Sequence, residues 1–209
     1  MTQDTDTKSD SLLVFTGSTL WAALRFSLIL ILLCGIIYPL ASTGLAQLLF
    51  PSQANGSLVK DDEGIIVGSE LIGQSFTDPK LFQGRVSSID YNADASGSNN
   101  YAPSYPELIE RMQESANSWT ANNPEVPVGS LPVDLITNSG SGLDPHISPK
   151  SAAVQIPRIS SLTGLPEAEL QALVGDATEG RDWGVFGEPR INVLKLNLAL
   201  QQKIAELNP

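Results

Sequence analysis

FSLILILLCGIIYPLASTGLAQLL, residues Phe26 to Leu49, carries no charged side chain over two dozen positions. A helix rises ~1.5 Å per residue, so this run spans about 36 Å, enough to cross a hydrocarbon core of ~30 Å with some tilt. Nothing after Leu49 resembles it. The chain therefore reads as one N-terminal transmembrane helix over 26–49, a polar tail over 1–25 ahead of it, and a single α+β domain over 50–209 behind it. Two other readings compete. A signal peptide has a shorter apolar core and a basic head. Here a polar leader with three aspartates precedes a longer run, and Ala41-Ser42-Thr43 is where such a peptide would be cut. A buried helix of a soluble domain rarely runs this long without a charge.

Cations set the expected orientation. Arg25 stands at the N-terminal edge of the run with Lys8 behind it, whereas the first cation beyond the other end, Lys60, is followed at once by Asp61, Asp62 and Glu63. Lys and Arg accumulate on the cytoplasmic side of a span, so the tail is expected in the cytoplasm and the domain outside. Within the run, Pro39 donates no backbone hydrogen bond and its ring presses on the carbonyl of Gly35, which predicts a kink. Ser27, Cys34, Gly35, Tyr38 and Ser42 fall on one side at 100° per residue. Small and mildly polar residues let a neighbouring helix approach, so Gly35 and Pro39 are the expected packing positions.

The net charge is −11; two cations and three acids precede Pro51, which leaves −10 on the domain. That balance disfavours nucleic acid and anionic lipid as ligands. The one cysteine, Cys34, lies inside the apolar run, so neither an intrachain disulfide nor a thiolate metal site is available to the domain. Its core must hold it together.

Along the domain, residues 51–59 read as a short connector. Gly64 to Phe76 reads as a hairpin or bent strand pair. Asp78 to Pro106 has few aliphatics but carries Phe82, Tyr91, Tyr101, Tyr105 and Arg85; a stretch so long without regular periodicity reads as a packed, specific loop. Pro106 opens a helix to Asn122, with Leu108, Met112 and Trp119 near one face and Ser115 interrupting that stripe. Leu131 to Thr137 is a short strand candidate. Ser148 caps a helix with Pro149 in its first turn; Pro157 is expected to bend it and Gly164 to end it. A further helix runs from Glu167 to Val174. The last segment, 191–207, starts strand-like and ends helical.

Chemistry-bearing residues are sparse. His146, the single histidine, lies near Asp144 and several serines. A Ser-His-Asp hydrolase needs these groups to converge with backbone donors for an oxyanion; so close in sequence, they fit a hydrogen-bonded turn better. Asp144 and His146 lack a third nearby metal ligand. GSGLDPH lacks the Lys-Ser/Thr ending of a Walker A loop, and the DKTG signature of a phosphorylated pump is missing. The chain cannot hydrolyse ATP by either route, and one span cannot form an ion path. If it serves transport, it serves as a subunit.

GSELIGQSFTDPKLFQGR, YNADASGSN, PVDLITNSGSGLDPHISPKSAAVQIPRI and GVFGEPRINVLKLNLAL, in that order behind one span, resemble the C chain of the Kdp potassium-transporting P-type ATPase. The resemblance runs from Phe26 to Leu200, and departs from the family pattern at 98–102 and at Lys195. It implies an accessory, non-enzymatic subunit of a four-protein pump in the inner membrane. Its implied partners are a channel-like potassium-selective subunit, a P-type ATPase subunit, a small membrane subunit and the bilayer. It also implies help in assembly and a chaperone effect that raises the ATP affinity of the ATPase subunit. A polar residue matching Gln155 is implied in nucleotide contact, with no cofactor bound by the chain alone and ATP only as a ligand shared with the ATPase subunit. Arg85, Asn92, Asp144, His146 and Ser148 then form the loop region that meets partners or holds structure. An outside domain would keep Gln155 from cytoplasmic ATP, so the expectation is a cap on the outer mouth of the potassium-selective subunit, acting on nucleotide affinity through a coupling free energy. The remaining alternatives are a membrane-anchored hydrolase using His146 and a free-standing anchored binding protein.

Overall fold

A computed structural model describes residues 17–61 and 63–207. The expected tail falls, for residues 1–16, outside the described residues. The chain divides into two compact units, Met1–Asn55 and Gly56–Pro209.

The first unit is a helix, Gly17–Leu49, of 33 residues, followed by the single turn α3 (Pro51–Ala54). At ~1.5 Å per residue the helix is about 50 Å long. It opens nine residues ahead of the expected start at Phe26, because Leu20, Ala22, Ala23 and Leu24 are strong helix formers and a lone Arg25 does not interrupt the backbone ladder. The helix is apolar and long enough to cross a membrane, and its side chains are unburied. The disturbance expected at Pro39 takes a definite form. Between α1 (Gly17–Leu30) and α2 (Tyr38–Leu49) the chain widens into a π-helical segment, Ile31–Ile37. Tyr38 donates its backbone N–H to the carbonyl of Leu33, five residues back. The wider turn makes room for the proline ring.

The second unit opens with an antiparallel ribbon, β1 (Leu58–Lys60) and β2 (Ile66–Ser69), whose register slips between Val59 and Lys60. This corrects the strand pair expected within Gly64–Phe76: the partner of β2 lies upstream, in the stretch read as connector. Asp61 closes the turn, its Oδ1 accepting from Glu63 N at 3.0 Å and Ile65 N at 2.8 Å.

The core lies under a small antiparallel sheet in the order β3 (His146–Ile147), β5 (Arg190–Asn192), β4 (Thr178–Glu179). Ile191 of β5 is opposite both Ile147 and Thr178. Helices α6 (Pro149–Ala153), α7 (Ile156–Thr163), α8 (Glu167–Asp176) and α9 (Val193–Leu207) bury Ile156, Ile159, Leu170, Leu196 and Leu200 against it. Val193, Leu196 and Leu200 recur at helical spacing on one face of α9. Each fully buried aliphatic contributes roughly 1.5–3 kcal/mol.

Two further expectations are corrected. The helix expected to bend at Pro157 is two helices. The break falls at Val154 and Gln155, and Pro157 sits in the first turn of α7, where its missing N–H leaves no ladder bond unmade. Gly164 ends α7 in the left-handed region, φ +80°, as expected. The strand expected over Leu131–Thr137 is a single helical turn, α5 (Val133–Ile136). A short run of β-branched residues does not by itself distinguish the two. Here Pro132 precedes the turn, and Asp134 in it has tertiary partners described below. Helix α4 (Pro106–Asn122) forms as expected, with Trp119 buried and its Nε1 donating to Val126 O at 3.2 Å.

Candidate functional site

Residues 79–83, in the middle of the long loop, are held by side chains from three later elements. Phe82, fully buried, enters the core. Its backbone is matched by Asn197 of α9: Oδ1 accepts from Phe82 N at 2.8 Å and Nδ2 donates to Phe82 O at 2.9 Å. The next residue is matched in the same way by Gln155, whose Oε1 accepts from Gln83 N at 2.8 Å and whose Nε2 donates to Gln83 O at 3.1 Å. Two side-chain amides thus replace the strand that the loop lacks.

Arg158 completes this clamp. It is only 6% exposed. Nε donates to Asn123 Oδ1 at 2.9 Å, Nη2 to Gln155 Oε1 at 2.8 Å, and Nη1 and Nη2 both reach Leu81 O at 3.2 Å; Nη1 also donates to Pro79 O. Burial draws the guanidinium down to about 10, with Asp78 opposing that shift, so it stays charged at neutral pH.

Gln155, the expected nucleotide contact, is 0% exposed. Its Oε1 accepts two hydrogen bonds and its Nε2 donates two, the second to Ser151 O at 3.1 Å. Both amide hydrogens and the oxygen are engaged inside the protein. The residue is a clamp on the loop and is closed off from solvent.

Arg85 and Asp144, 59 residues apart in sequence, meet beside His146. Arg85 Nη1 meets Asp144 Oδ2 at 2.9 Å and its Nη2 donates to Asn138 O at 3.2 Å. The backbone N–H of His146 donates to Asp144 Oδ1 at 3.0 Å, and its Nδ1 lies 3.6 Å from the same oxygen. Burial raises the Asp144 carboxyl, but the hydrogen bonds from His146 and Arg85 outweigh it and hold the group at about 2. Ser148 caps α6, its Oγ accepting from Ser151 N at 3.1 Å. The same hydroxyl donates to Asp134 Oδ1 at 3.2 Å, so it is turned toward α5 and Ser151, where a hydrolase would aim it at the histidine. Asp134 also takes Ser148 N at 2.9 Å and Ser151 Oγ at 2.7 Å. Asn92 is further along the loop and serves a turn, its Oδ1 accepting from Asp94 N at 3.1 Å. Tyr91 donates its hydroxyl to Arg85 O, and burial raises its pKa. Gly73 lets this cluster close: its N–H donates to Leu143 O at 2.8 Å, and a Cβ there would stand 2.5 Å from Asp144 O.

Sequence reasoning missed Arg158, Asn197, Asn123 and Asp134. The available signal was a polar or charged residue on an otherwise apolar helix face, as with Asn197 between Leu196 and Leu200. In the apolar helix, Gly35 lies in the π segment and Pro39 just after it; a Cβ on Gly35 would meet only Ile31 of its own helix, at 3.9 Å. Lys195, one departure from the family pattern, pairs with Glu70 at 2.8 Å. In the other, Asn99 Nδ2 donates to Tyr101 Oη at 2.8 Å, and Tyr101 stacks on Tyr105 with centroids 5.3 Å apart. Among the described residues no cluster of metal-ligating side chains occurs.

A separate surface feature stands between β4 and β5. Asp182 and Phe186 pair as an isolated antiparallel bridge, and Trp183, Gly184 and Gly187 adopt positive φ. Arg181 pairs with Glu188 at 2.9 Å, and Arg190 with Glu179 and Asp182 at 3.2 and 3.4 Å. The tip raises Trp183, 93% exposed, with Val185 and Phe186 into solvent.

The family profile described as K+-transporting ATPase, c chain, matches residues 20–202. A Bacillus cereus protein named potassium-transporting ATPase KdpC subunit is 56% identical over 185 residues, covering 88% of this chain and 96% of its own. A Bacillus anthracis protein of the same name is 55% identical over the same length and shares. One from Bacillus thuringiensis is 56% identical over 179 residues, 86% of this chain and 93% of its own. With an apolar N-terminal helix, a mixed helix-and-sheet domain and a match along nearly its whole length, the chain belongs to the KdpC family of potassium-transporting ATPase subunits.

Proposed function

We propose that this chain is a non-catalytic assembly subunit of the Kdp pump, tethered by Gly17–Leu49 in the inner membrane with its domain outside. There it caps the outer mouth of the potassium-selective subunit, alongside the ATPase subunit and a small membrane subunit. The observation that carries this reading is the braced tip around Trp183. An aromatic residue so exposed, on a loop already fixed by its own ion pairs, is suited to anchor in a partner, because little ordering entropy is lost on docking. Gly35, open on the helix surface, suits contact with a partner helix.

Any gain in ATP affinity of the ATPase subunit then reaches it through the complex, as a coupling between states, and not through Gln155. The hydrolase alternative loses support from the turn of Ser148 toward Asp134. To test sidedness, Cys34→Ser is combined with Ser130→Cys, an exposed position, and intact cells are treated with a membrane-impermeant thiol reagent. Labelling without lysis is expected; labelling only after lysis overturns the outside cap. Co-purification with the pump subunits is the companion measurement, and recovery of this chain alone in mild detergent would favour a free-standing anchored protein.

A further inference from the structure

Five buried side-chain polar atoms lack a hydrogen-bond partner among the described residues, and four of them are guanidinium nitrogens: Nε of Arg85 and Nε, Nη1 and Nη2 of Arg111. Buried polar groups are nearly always paired, and an unpaired buried charge carries a large desolvation penalty. Both arginines line one cavity of about 380 Å³. Arg85 is otherwise engaged with Asp144 and Asn138, so only its Nε is left over. Arg111 has nothing: Glu114, one turn along, also lines the cavity but makes no ion pair with it. In a domain of net charge −10, a guanidinium without an acceptor among the described residues, beside a second with its Nε unused, is out of keeping with the rest of the surface.

The same wall carries hydrogen-bonding groups at helical spacing. Arg111, Ser115, Ser118 and Asn122 recur every three or four residues along α4 and all line the cavity. Ser115, which interrupts the apolar stripe of that helix, thereby belongs to a second, polar stripe. Trp119, Val86 and Leu135 supply apolar surface beside it. Guanidinium N–H groups match the oxygens of carboxylates and phosphates. The volume lies in the range of small-molecule sites, larger than a bare inorganic anion requires.

We propose that this cavity binds a small organic oxyanion, a carboxylate or phosphate monoester. Its oxygens take the free N–H groups of Arg111 and Arg85, Ser115 and Ser118 add hydroxyl contacts, and its body lies against Trp119 and Leu135. The guanidinium nitrogens are shielded from water, so binding requires the half-buried Arg111 side chain to turn toward the cavity it borders. The cavity borders the Gln155 clamp through Gln83 but is not lined by Gln155 itself, and the proposal does not depend on the pump reading.

The probe is phenyl phosphate, added to the full chain in detergent, with phenol and equal-ionic-strength sulfate as controls. Phenyl phosphate is expected to raise the unfolding midpoint by several degrees at saturation, and the controls to leave it in place. Arg111→Gln is expected to weaken binding at least tenfold while leaving the ligand-free midpoint unchanged or higher, since the uncompensated charge is gone. Ser118→Ala, at an exposed position, is expected to weaken it by a smaller factor with no effect on folding. An equal response to phenol, or an undiminished phenyl phosphate shift in both variants, would overturn the proposal. So would loss of pump subunits on Arg111→Gln with no phenyl phosphate effect on the isolated chain, which would assign the acceptor to a partner's acidic side chain.

Discussion

Gln155 pairs with the backbone of Gln83 across 72 residues of sequence, accepting from its N–H at 2.8 Å and donating to its carbonyl at 3.1 Å. A side chain is doing what a neighbouring strand would do. Truncation to Gln155→Ala strands both backbone groups and one N–H of the buried Arg158, and an unsatisfied buried group is more damaging than a weak one. The expected loss is about 2–4 kcal/mol in denaturant unfolding of the full chain. A stability unchanged within ~0.5 kcal/mol would show that the clamp is not formed in solution.

The Asp144 carboxyl gives the fold an acid dependence. A group held at about 2 in the folded chain and near 3.8 when unfolded stabilises the fold fully above pH ~4. That contribution fades as pH falls toward 2. Because the side chain is 29% exposed, solvent screening limits it to about 1–2 kcal/mol. Asp144→Asn is expected to flatten the stability profile between pH ~4 and ~2; a profile parallel to that of the parent chain would rule this out.

Gly73 lies against the backbone of Asp144, where no side chain can move aside. Gly73→Ala places a methyl carbon 2.5 Å from a carbonyl oxygen, and relief requires shifting the loop that carries Asp144 and His146, with which Arg85 is paired. The expected destabilisation is about 1–3 kcal/mol. Gly129→Ala, with nothing within 4 Å of the added atom, is the control and is expected to stay within ~0.5 kcal/mol.

The Trp183 tip separates stability from assembly. Trp183→Ser with Phe186→Ser removes exposed apolar surface, so the isolated chain is expected to unfold within ~0.5 kcal/mol of the parent. If the tip anchors a partner, recovery of the pump complex drops by roughly thirtyfold, the scale of a single aromatic anchor. Full recovery of the complex with both serines in place would remove the tip from the interface.

The long loop shows how far the residues alone could be read. Its aromatics marked it as packed, and Phe82 is fully buried. The residues that hold it, Asn197, Gln155 and Arg158, lie 72 to 115 positions away, and no local pattern announces such a partner. Leu131–Thr137 failed for the same reason: what selects a helical turn there is Asp134 reaching Ser148 and Ser151.

The sequence by itself determined the apolar helix, the single domain behind it, the helix starts at Pro106, Pro149 and Glu167 and the Gly164 stop, because periodicity, proline and glycine act over a few residues of chain. It also placed Asp144 and His146 in one turn-rich region, with Arg85 on a separate loop 59 residues upstream of Asp144. Only the tertiary structure decided that Gln155 faces inward, that Asp134 draws α5 onto α6, and that Arg111 is left with no acceptor among the described residues. Those outcomes depend on which distant groups meet in a water-poor interior, where every donor must find an acceptor from wherever the fold brings one.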